Sequence, residues 1–253
     1  MARILTFCNA DYVPVARNWL RALAEIGLDH AATIVSLDEA TRDSFASDQV
    51  LHRPLSPSSD DLGALWSHRI GVLRELLSSG EAIIHSDADA IWLRDPMPDI
   101  LASDADMVFS QGTIWPPDVH RHHGIVLCCG FFFLRPDQQV LAFLDAVDAR
   151  MITDRDDQMA VNRVVAALID DWQVDDPYEV PFRQDRFIAS RRPIRARLAK
   201  DSSDQISITV LPHHAYPRLL DCVTDEMVVA HPLSGKSLNE KMRCLGQLGL
   251  WLL

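Results

Sequence analysis

Short apolar runs alternate with amphipathic stretches in the first third of the chain, and this alternation limits the folds that it can adopt. Residues 3–8 and 31–37 are β-like runs, and a third apolar run leads to Asp87. Between these runs, residues 13–27 and 62–80 carry apolar side chains at helical spacing, and each stretch closes on a glycine. Strand–helix–strand alternation of this kind predicts a mostly parallel sheet covered by helices.

Apolar runs and helical stretches continue along the rest of the chain in a less regular order. Residues 125–136 are too continuously apolar to be half exposed, and prolines break residues 112–124 into a predicted loop. Further strands are predicted at 105–111, 205–211 and 226–231, and helices at 137–151, 154–171 and 236–249. No repeat, low-complexity tract or linker interrupts the sequence, so we expect a single α/β domain over residues 1–253.

Charge and composition restrict the partners and the compartment. The formal net charge of −12 argues against general nucleic-acid binding. The one local exception is the basic run from Arg183 to Lys200, which is either a solvated face or a site for an anionic group of a substrate. No stretch approaches the roughly 20 apolar residues of a membrane span, and the first apolar run is predicted to be a strand, not a signal peptide. The five cysteines are odd in number, which argues against a disulfide framework and favours a reduced, cytoplasmic compartment. They lack C-x-x-C spacing, which argues against a zinc site.

Two aspartates, Asp87 and Asp89, stand one residue apart directly after the apolar run of "EAIIHSDADAIWLRDP". Ligands of open α/β sheets bind outside the carboxyl ends of the strands, where such side chains would project. Hard divalent cations take one or two carboxylates together with substrate phosphates. The pair therefore predicts a cation–phosphate site, although a D-x-D sequence by itself is equally compatible with a solvated turn.

Two classes of enzyme present a D-x-D pair at a strand end. In haloacid-dehalogenase-type phosphohydrolases the first aspartate is a nucleophile on the first strand, and Thr or Val follows two residues after the second. Here the pair lies on about the fourth strand, and Ile91 occupies that later position. A phosphohydrolase is therefore the alternative. The second class is the nucleotide-sugar glycosyltransferases.

The chain resembles the nucleotide-diphospho-sugar transferase family, which includes plant arabinosyl- and xylosyltransferases and many bacterial members. The matching segments are, in the family's order, "NADYVPVARNWLRALAEIG", "HSDADAIWLRDP", "CCGFFFLRP", "DDQMAVN" and "HPLSGKSLNEKMRCLGQLGLW". They run from residue 9 to residue 251. The resemblance implies one GT-A-like domain, with a nucleotide-binding half at about 1–111 and an acceptor-side half at about 112–253.

The resemblance also implies a metal-dependent enzyme that moves a sugar from a nucleotide-diphosphate sugar, a UDP-sugar above all, to an acceptor. Asp87, Asp89 and His231 would be ligands of Mn²⁺ or Mg²⁺. A lone histidine after a strand is more often structural, and only the family places a metal-binding histidine at position 231. Three further histidines lie in the proline-broken segment and are expected to face solvent or acceptor and not a metal: His120, His122 and His123.

Further positions of the family's motifs would hold the donor. Asp157 and Gln158 would contact the donor sugar and its anomeric centre, although Thr153 or Asp154 could equally cap a helix there that favours acids. Gly130 either leaves room for the sugar ring or forms a β-bulge. The remaining predicted donor-binding residues are Asn9, Tyr12, Asp38, Arg69, Asp87, Gly235 and either Lys236 or Lys241, between which the sequence does not choose.

The implied reaction retains the anomeric configuration. Asp157 is the one motif carboxylate that could act as a covalent nucleophile, so front-face attack, with the leaving phosphate accepting the acceptor's proton, is the preferred mechanism. A carbohydrate- or nucleotide-binding protein without turnover is the non-enzymatic alternative. Since no hydrophobic anchor is found in the sequence, we expect a bacterial cytoplasmic enzyme.

Overall fold

A computed structural model describes residues 2–55, 62–199, 205–235 and 237–253. Within these ranges the strands are β1 (Arg3–Cys8), β2 (Ala32–Ser36), β3 (Val50–His52), β4 (Ile83–Ser86), β5 (Ile91–Trp92), β6 (Met107–Gln111), β7 (Leu127–Leu134), β8 (Pro177–Phe182), β9 (Asp185–Ser190), β10 (Ile194–Ala199), β11 (Gln205–Val210) and β12 (Val229–Ala230). The helices are α1 (Val13–Glu25), α2 (Glu39–Arg42), α3 (Leu62–Ser78), α4 (Met97–Ala102), α5 (Pro117–His123), α6 (Gln138–Asp154), α7 (Asp157–Leu168) and α8 (Leu238–Gln247).

An eight-stranded sheet in the order β10-β11-β6-β7-β4-β1-β2-β3 forms the centre of the molecule. Neighbours among β1, β2, β3 and β4 are parallel, as are β6 and β11, whereas β7 is antiparallel to both β4 and β6, and β10 is antiparallel to β11. The predicted α/β class is confirmed. The reversed β7 was not predicted, because a strand buried on both faces is continuously apolar whichever way it runs.

Helices cover both faces of this sheet. Ile83 and Ile84 are neighbours on β4, yet each belongs to a different hydrophobic cluster, because successive side chains of a strand point to opposite faces. Residues of α3, α6 and α7 contribute to one cluster, and residues of α1 and α8 to the other. The helices cover the faces of the sheet and leave the carboxyl ends of the parallel strands uncovered, and loops at these ends can build a site.

Two local expectations are corrected by the structure. The segment 112–124 contains the short helix α5, since Pro117 is tolerated in a first helical turn where no backbone donor is needed. Helix α7 is capped by Asp156, whose Oδ1 accepts from the backbone N of Met159 at 2.8 Å, and not by Thr153 or Asp154, which lie in the preceding helix.

The basic run contains β-strands that the sequence pattern did not reveal. Strands β8 and β9 form a separate antiparallel hairpin, and β10 joins the edge of the main sheet. Arg186 pairs with Glu179 at 3.0 Å, and the guanidinium of Arg191 lies 5.1 Å from the ring centroid of Tyr178. These contacts within the hairpin favour the interpretation of a solvated face; Lys200 lies outside the described residues.

In the described ranges, no helix combines the length and the apolarity needed to cross a bilayer. Cys8, Cys128 and Cys129 are buried, in keeping with their expected role as small core residues.

Candidate active site

Pairing of two short strands brings the D-x-D pair and His231 together. Strand β4 ends at Ser86, and the backbone N of Asp87 donates to the carbonyl of Gly130 on β7 at 2.7 Å. After the turn that holds Asp89, β5 pairs with β12 in antiparallel register, with Ile91 opposite Ala230. Because the start of β5 lies beside the end of β12, His231 follows directly next to Asp89.

One ligand atom from each of Asp87, Asp89 and His231 lies within 4.8 Å of the other two. His231 Nε2 is 3.4 Å from Asp89 Oδ1 and 3.8 Å from Asp87 Oδ2. Asp89 and His231 are buried, whereas 37% of the Asp87 side chain is exposed. Burial would raise the pKa of both carboxyls, but neighbouring donors and cations outweigh it and hold the pKa of Asp87 and of Asp89 below the usual range.

The residues at this position fit a divalent cation. Two carboxylates and one imidazole form a donor set suited to Mn²⁺, while Mg²⁺ takes oxygen ligands more exclusively. Lys241 Nζ already contacts the Asp89 carboxylate, so this pair of acids attracts positive charge. The histidines of α5 take part in no such three-ligand group in the part of the chain that the structure describes.

Gly130 provides the space in which the three candidate ligands meet. A Cβ atom at this position would overlap with His231 Cε1 and lie 2.7 Å from Asp87 Oδ2. The register between β6 and β7 shifts beside it, from Phe109 opposite Phe132 to Ser110 opposite Cys128. The register shift agrees with the β-bulge interpretation of Gly130. The space beside the glycine is filled by His231 and Asp87, and its proposed contact with the sugar ring stays a prediction.

Gly130→Ala is expected to weaken the predicted metal-dependent binding of nucleoside diphosphate at least about tenfold. This factor is the lower end of the loss of metal affinity seen when groups that orient metal ligands are changed. The added methyl group must displace His231 or Asp87, since β7 is held by its pairing with β4. Calorimetry with UDP and Mn²⁺ measures the effect. Gly71→Ala is the matched control: nothing lies within 4 Å of the added Cβ on helix α3. Equal UDP affinity in the Gly130 variant and the wild type would contradict the assignment.

Arg69 links the D-x-D pair to helix α7. Its side chain is 7% exposed; Nη1 donates to Asp87 Oδ1 at 3.1 Å, and Nη2 donates to Asp157 Oδ2. His85 Nε2 is also 3.1 Å from Asp87 Oδ1, and burial lowers the pKa of His85 to about 4, so that its ring is neutral. Arg69 was predicted to bind the donor; the structure shows its guanidinium joining two acids of the site.

Asp157 and Gln158 lie in the first turn of α7. Asp157 is buried, and burial raises the pKa of its carboxyl while Arg69 opposes that rise. Gln158 Nε2 donates to the carbonyl of Trp115 at 2.9 Å, and its Oε1 accepts from the backbone N of Cys129 at 3.3 Å. The side chain of Gln158 therefore joins α7 to β7 and to the segment before α5.

A cavity of about 420 Å³ gathers most of the predicted residues. They are Asn9, Tyr12, Arg69, Asp87, Asp89, Gly130, Asp157, Gln158, His231, Gly235 and Lys241. Asp38 is not among the described residues that line it, because its oxygens accept from the backbone N of Thr41 at 2.7 Å and of Ala10 at 2.8 Å, which caps α2. Lys236 lies outside the described residues, so Lys241 is the lysine that the structure places in the cavity.

The cavity also contains residues that the sequence did not single out for a role. The clearest are Trp66, Trp115 and Arg218, together with Cys128, whose Sγ lies 3.7 Å from His231 Nδ1. Periodicity had marked Trp66 only as part of an apolar stripe. The loop that carries Arg218 has no motif that could have revealed it, since its position depends on contacts with distant segments.

The strand ends of this sheet bring two carboxylates, an imidazole and a lysine into one cavity, a set of groups that could hold a divalent cation and a phosphate group. Residues 30–234 match the family model described as nucleotide-diphospho-sugar transferase. The chain therefore belongs to the nucleotide-diphospho-sugar transferase family and is a glycosyltransferase, as the sequence motifs predicted. The phosphohydrolase alternative has no such support.

Solved glycosyltransferase structures are similar at low identity. The galactosyltransferase LgtC in complex with donor and acceptor sugar analogues has a TM-score of 0.47 at 10% identity, over 65% of this chain and 69% of its own. GlyE from Streptococcus pneumoniae TIGR4 gives 0.46 at 11%, over 65% and 43%. The bifunctional WbbM gives 0.44 at 10%, over 64% and 37%. A search of curated proteins finds no match, so the family assignment rests on residues 30–234.

Proposed function

We propose that this enzyme transfers a sugar from a UDP-sugar to an acceptor in a reaction that depends on Mn²⁺ or Mg²⁺. The convergence of Asp87, Asp89, His231 and Lys241 at one wall of the cavity is the observation that carries the proposal. Such a group suits a diphosphate bridged to the protein by a cation.

The residues of the cavity divide into roles by position. Asp87, Asp89 and His231 would hold the cation, which supplies charge neutralisation for the departing diphosphate. Lys241 would hold diphosphate oxygens as a point charge, and Gly235 would let the backbone approach them. Asn9 and Tyr12 follow β1 and would contact the base or ribose.

The sugar side of the cavity favours a single step with retention. Asp157 is the one motif carboxylate that could act as a covalent nucleophile, but it is buried in contact with the Arg69 guanidinium, which reduces its nucleophilicity. Instead, the acceptor oxygen would attack the anomeric carbon from the face that the diphosphate leaves. The bond from carbon to the phosphate oxygen breaks as the new glycosidic bond forms, and that phosphate oxygen takes the acceptor's proton. Asp157 and Gln158 would position the sugar.

We further propose that residues 1–111 supply the nucleotide-binding half and residues 112–253 the acceptor side. Gln158 and Trp115 both belong to residues 112–253, contact each other and line the cavity, which supports the proposal. A bacterial cytoplasmic location agrees with the five cysteines, all of which are free.

The proposed function predicts release of nucleoside diphosphate from a nucleotide sugar and no release of phosphate from a phosphomonoester. The measurement is product analysis with a panel of nucleotide sugars and with p-nitrophenyl phosphate, each with and without Mn²⁺. Monoesterase activity that disappears in Asp87→Asn would favour the phosphohydrolase class instead. Tight nucleotide-sugar binding without turnover, to any acceptor or to water, would favour the binding-protein alternative.

A further inference from the structure

Arg218 lies in the loop between β11 and β12 and is fixed at the wall of the active-site cavity. Its Nη1 donates to the backbone carbonyl of His231 at 2.9 Å. Its backbone N donates to His213 Nε2 at 3.4 Å, and burial lowers the pKa of His213 to about 4, so this ring is a neutral acceptor. The guanidinium is therefore held beside the candidate metal ligand by contacts that do not involve a carboxylate.

Among the described residues that line the cavity, the other two cations are already paired with acids. Arg69 contacts Asp87 and Asp157, and Lys241 contacts Asp89. In the described part of the chain, Arg218 has no carboxylate partner within 4.0 Å, and the bond to His231 uses one of the five N–H donors of its guanidinium. A half-buried guanidinium with donors left over is suited to an oxyanion from outside the protein.

The charge of Arg218 reaches the interior of the site. Arg218 and Cys128 line the cavity together with Gly130, and Cys128 Sγ lies 3.7 Å from His231 Nδ1. Because the Arg218 guanidinium binds the carbonyl of the same histidine, its positive charge lies beside the candidate ligands.

We propose that Arg218 is a further binding residue for the donor diphosphate, and that its guanidinium holds a phosphate oxygen beside His231. The inference rests on the proposed function. The guanidinium fork can donate two parallel hydrogen bonds to one phosphate, whereas the ammonium of Lys241 acts as a point charge. The two cations would thus hold the diphosphate from different positions on the cavity wall.

Charge balance favours the diphosphate over an acidic group on the acceptor. The described lining residues include four carboxylates, at positions 87, 89, 156 and 157, and three side-chain cations, at positions 69, 218 and 241. With a divalent ion bound, the formal charges of these described residues sum to a positive value with Arg218 and to zero without it. The negative charge of the diphosphate of a nucleotide sugar exceeds this positive charge, so a second anion would be repelled by the occupied cavity.

Calorimetry with UDP and with uridine, both in Mn²⁺, tests the role of Arg218. Arg218→Gln should weaken UDP binding about ten- to a hundredfold, the range for a hydrogen bond to a charged group, while uridine affinity stays within about twofold of the wild type. Arg218→Lys should fall between the two. Arg121→Gln makes the same chemical change at an exposed position off the cavity and should leave both affinities unchanged.

A double-mutant cycle with His231→Gln separates direct contact of Arg218 with the diphosphate from an effect through the His231 side chain. A direct role predicts a further loss of UDP affinity when Arg218→Gln is added to His231→Gln, although the two losses need not be additive because the residues are in contact. If Arg218→Gln has no effect in the His231→Gln background, or weakens uridine as much as UDP, the proposal is wrong. Equal UDP affinity in Arg218→Gln and the wild type overturns this inference alone. Failure of the wild type to bind UDP, ADP or GDP overturns the proposed function and this inference with it.

Discussion

Asp89→Ala is expected to abolish metal-dependent nucleoside diphosphate binding while the chain stays folded. Asp89 Oδ1 lies 3.4 Å from His231 Nε2, and its other oxygen contacts Lys241 Nζ, so one substitution removes a candidate ligand and releases the lysine. Hard divalent ions dehydrate reluctantly and need their few protein ligands. The loss should exceed the roughly 10–100-fold cost of removing an outer-shell partner of a metal site.

Calorimetric titration of UDP in the presence of Mn²⁺, with circular dichroism as the check on folding, measures this effect. Asp89→Asn retains the shape of the side chain and should lose most of the affinity as well, because the charge is what the site uses. Asp48→Ala removes a carboxylate at an exposed position remote from the cavity lining and should bind UDP normally. Unchanged UDP affinity in Asp89→Ala would refute the metal assignment.

Arg69→Met is expected to lower the free energy of unfolding by about 3–5 kcal/mol at pH 7, the range for removing one partner of a buried ion pair. The methionine side chain would fill much of the volume but leave the buried Asp157 carboxylate, and with it Asp87, without the guanidinium. Denaturant unfolding measures the loss. Arg69→Met combined with Asp157→Asn should recover a large part of it, because the uncompensated charge is then gone.

The destabilisation should also depend on pH in a defined direction. Burial raises the pKa of Asp157, and losing Arg69 removes the charge that opposes this rise. A carboxyl whose folded pKa is above its unfolded pKa stabilises the fold at low pH, so the deficit of the variant should shrink as the pH falls through the folded pKa.

Arg53→Met is the control for Arg69, since it breaks the more exposed pair with Glu75 at 2.5 Å and should cost less than about 1 kcal/mol. A comparably small loss in Arg69→Met would show that the buried network contributes little to stability.

Local patterns in the sequence determined most of the first half of the fold. Apolar runs and helical spacing placed β1, α1, β2, α3 and β4 to within a few residues, because period and end signals are properties of neighbouring positions. The position of the D-x-D pair at the end of a buried strand was also predicted from neighbouring residues alone. The spacing of the two aspartates and the apolar run before them are sufficient for that prediction.

Tertiary structure alone decided how the site is assembled. His231 reaches Asp89 through the pairing of β5 with β12, two strands that lie far apart in the chain. Arg69 and Asp157 meet because α3 and α7 pack on the same face of the sheet, and Asp38 is used as a helix cap. Arg218 lies in the cavity because its guanidinium binds the His231 carbonyl. Each of these contacts joins segments that no local pattern relates, so it exists only once the hydrophobic clusters have fixed the strands and helices in place.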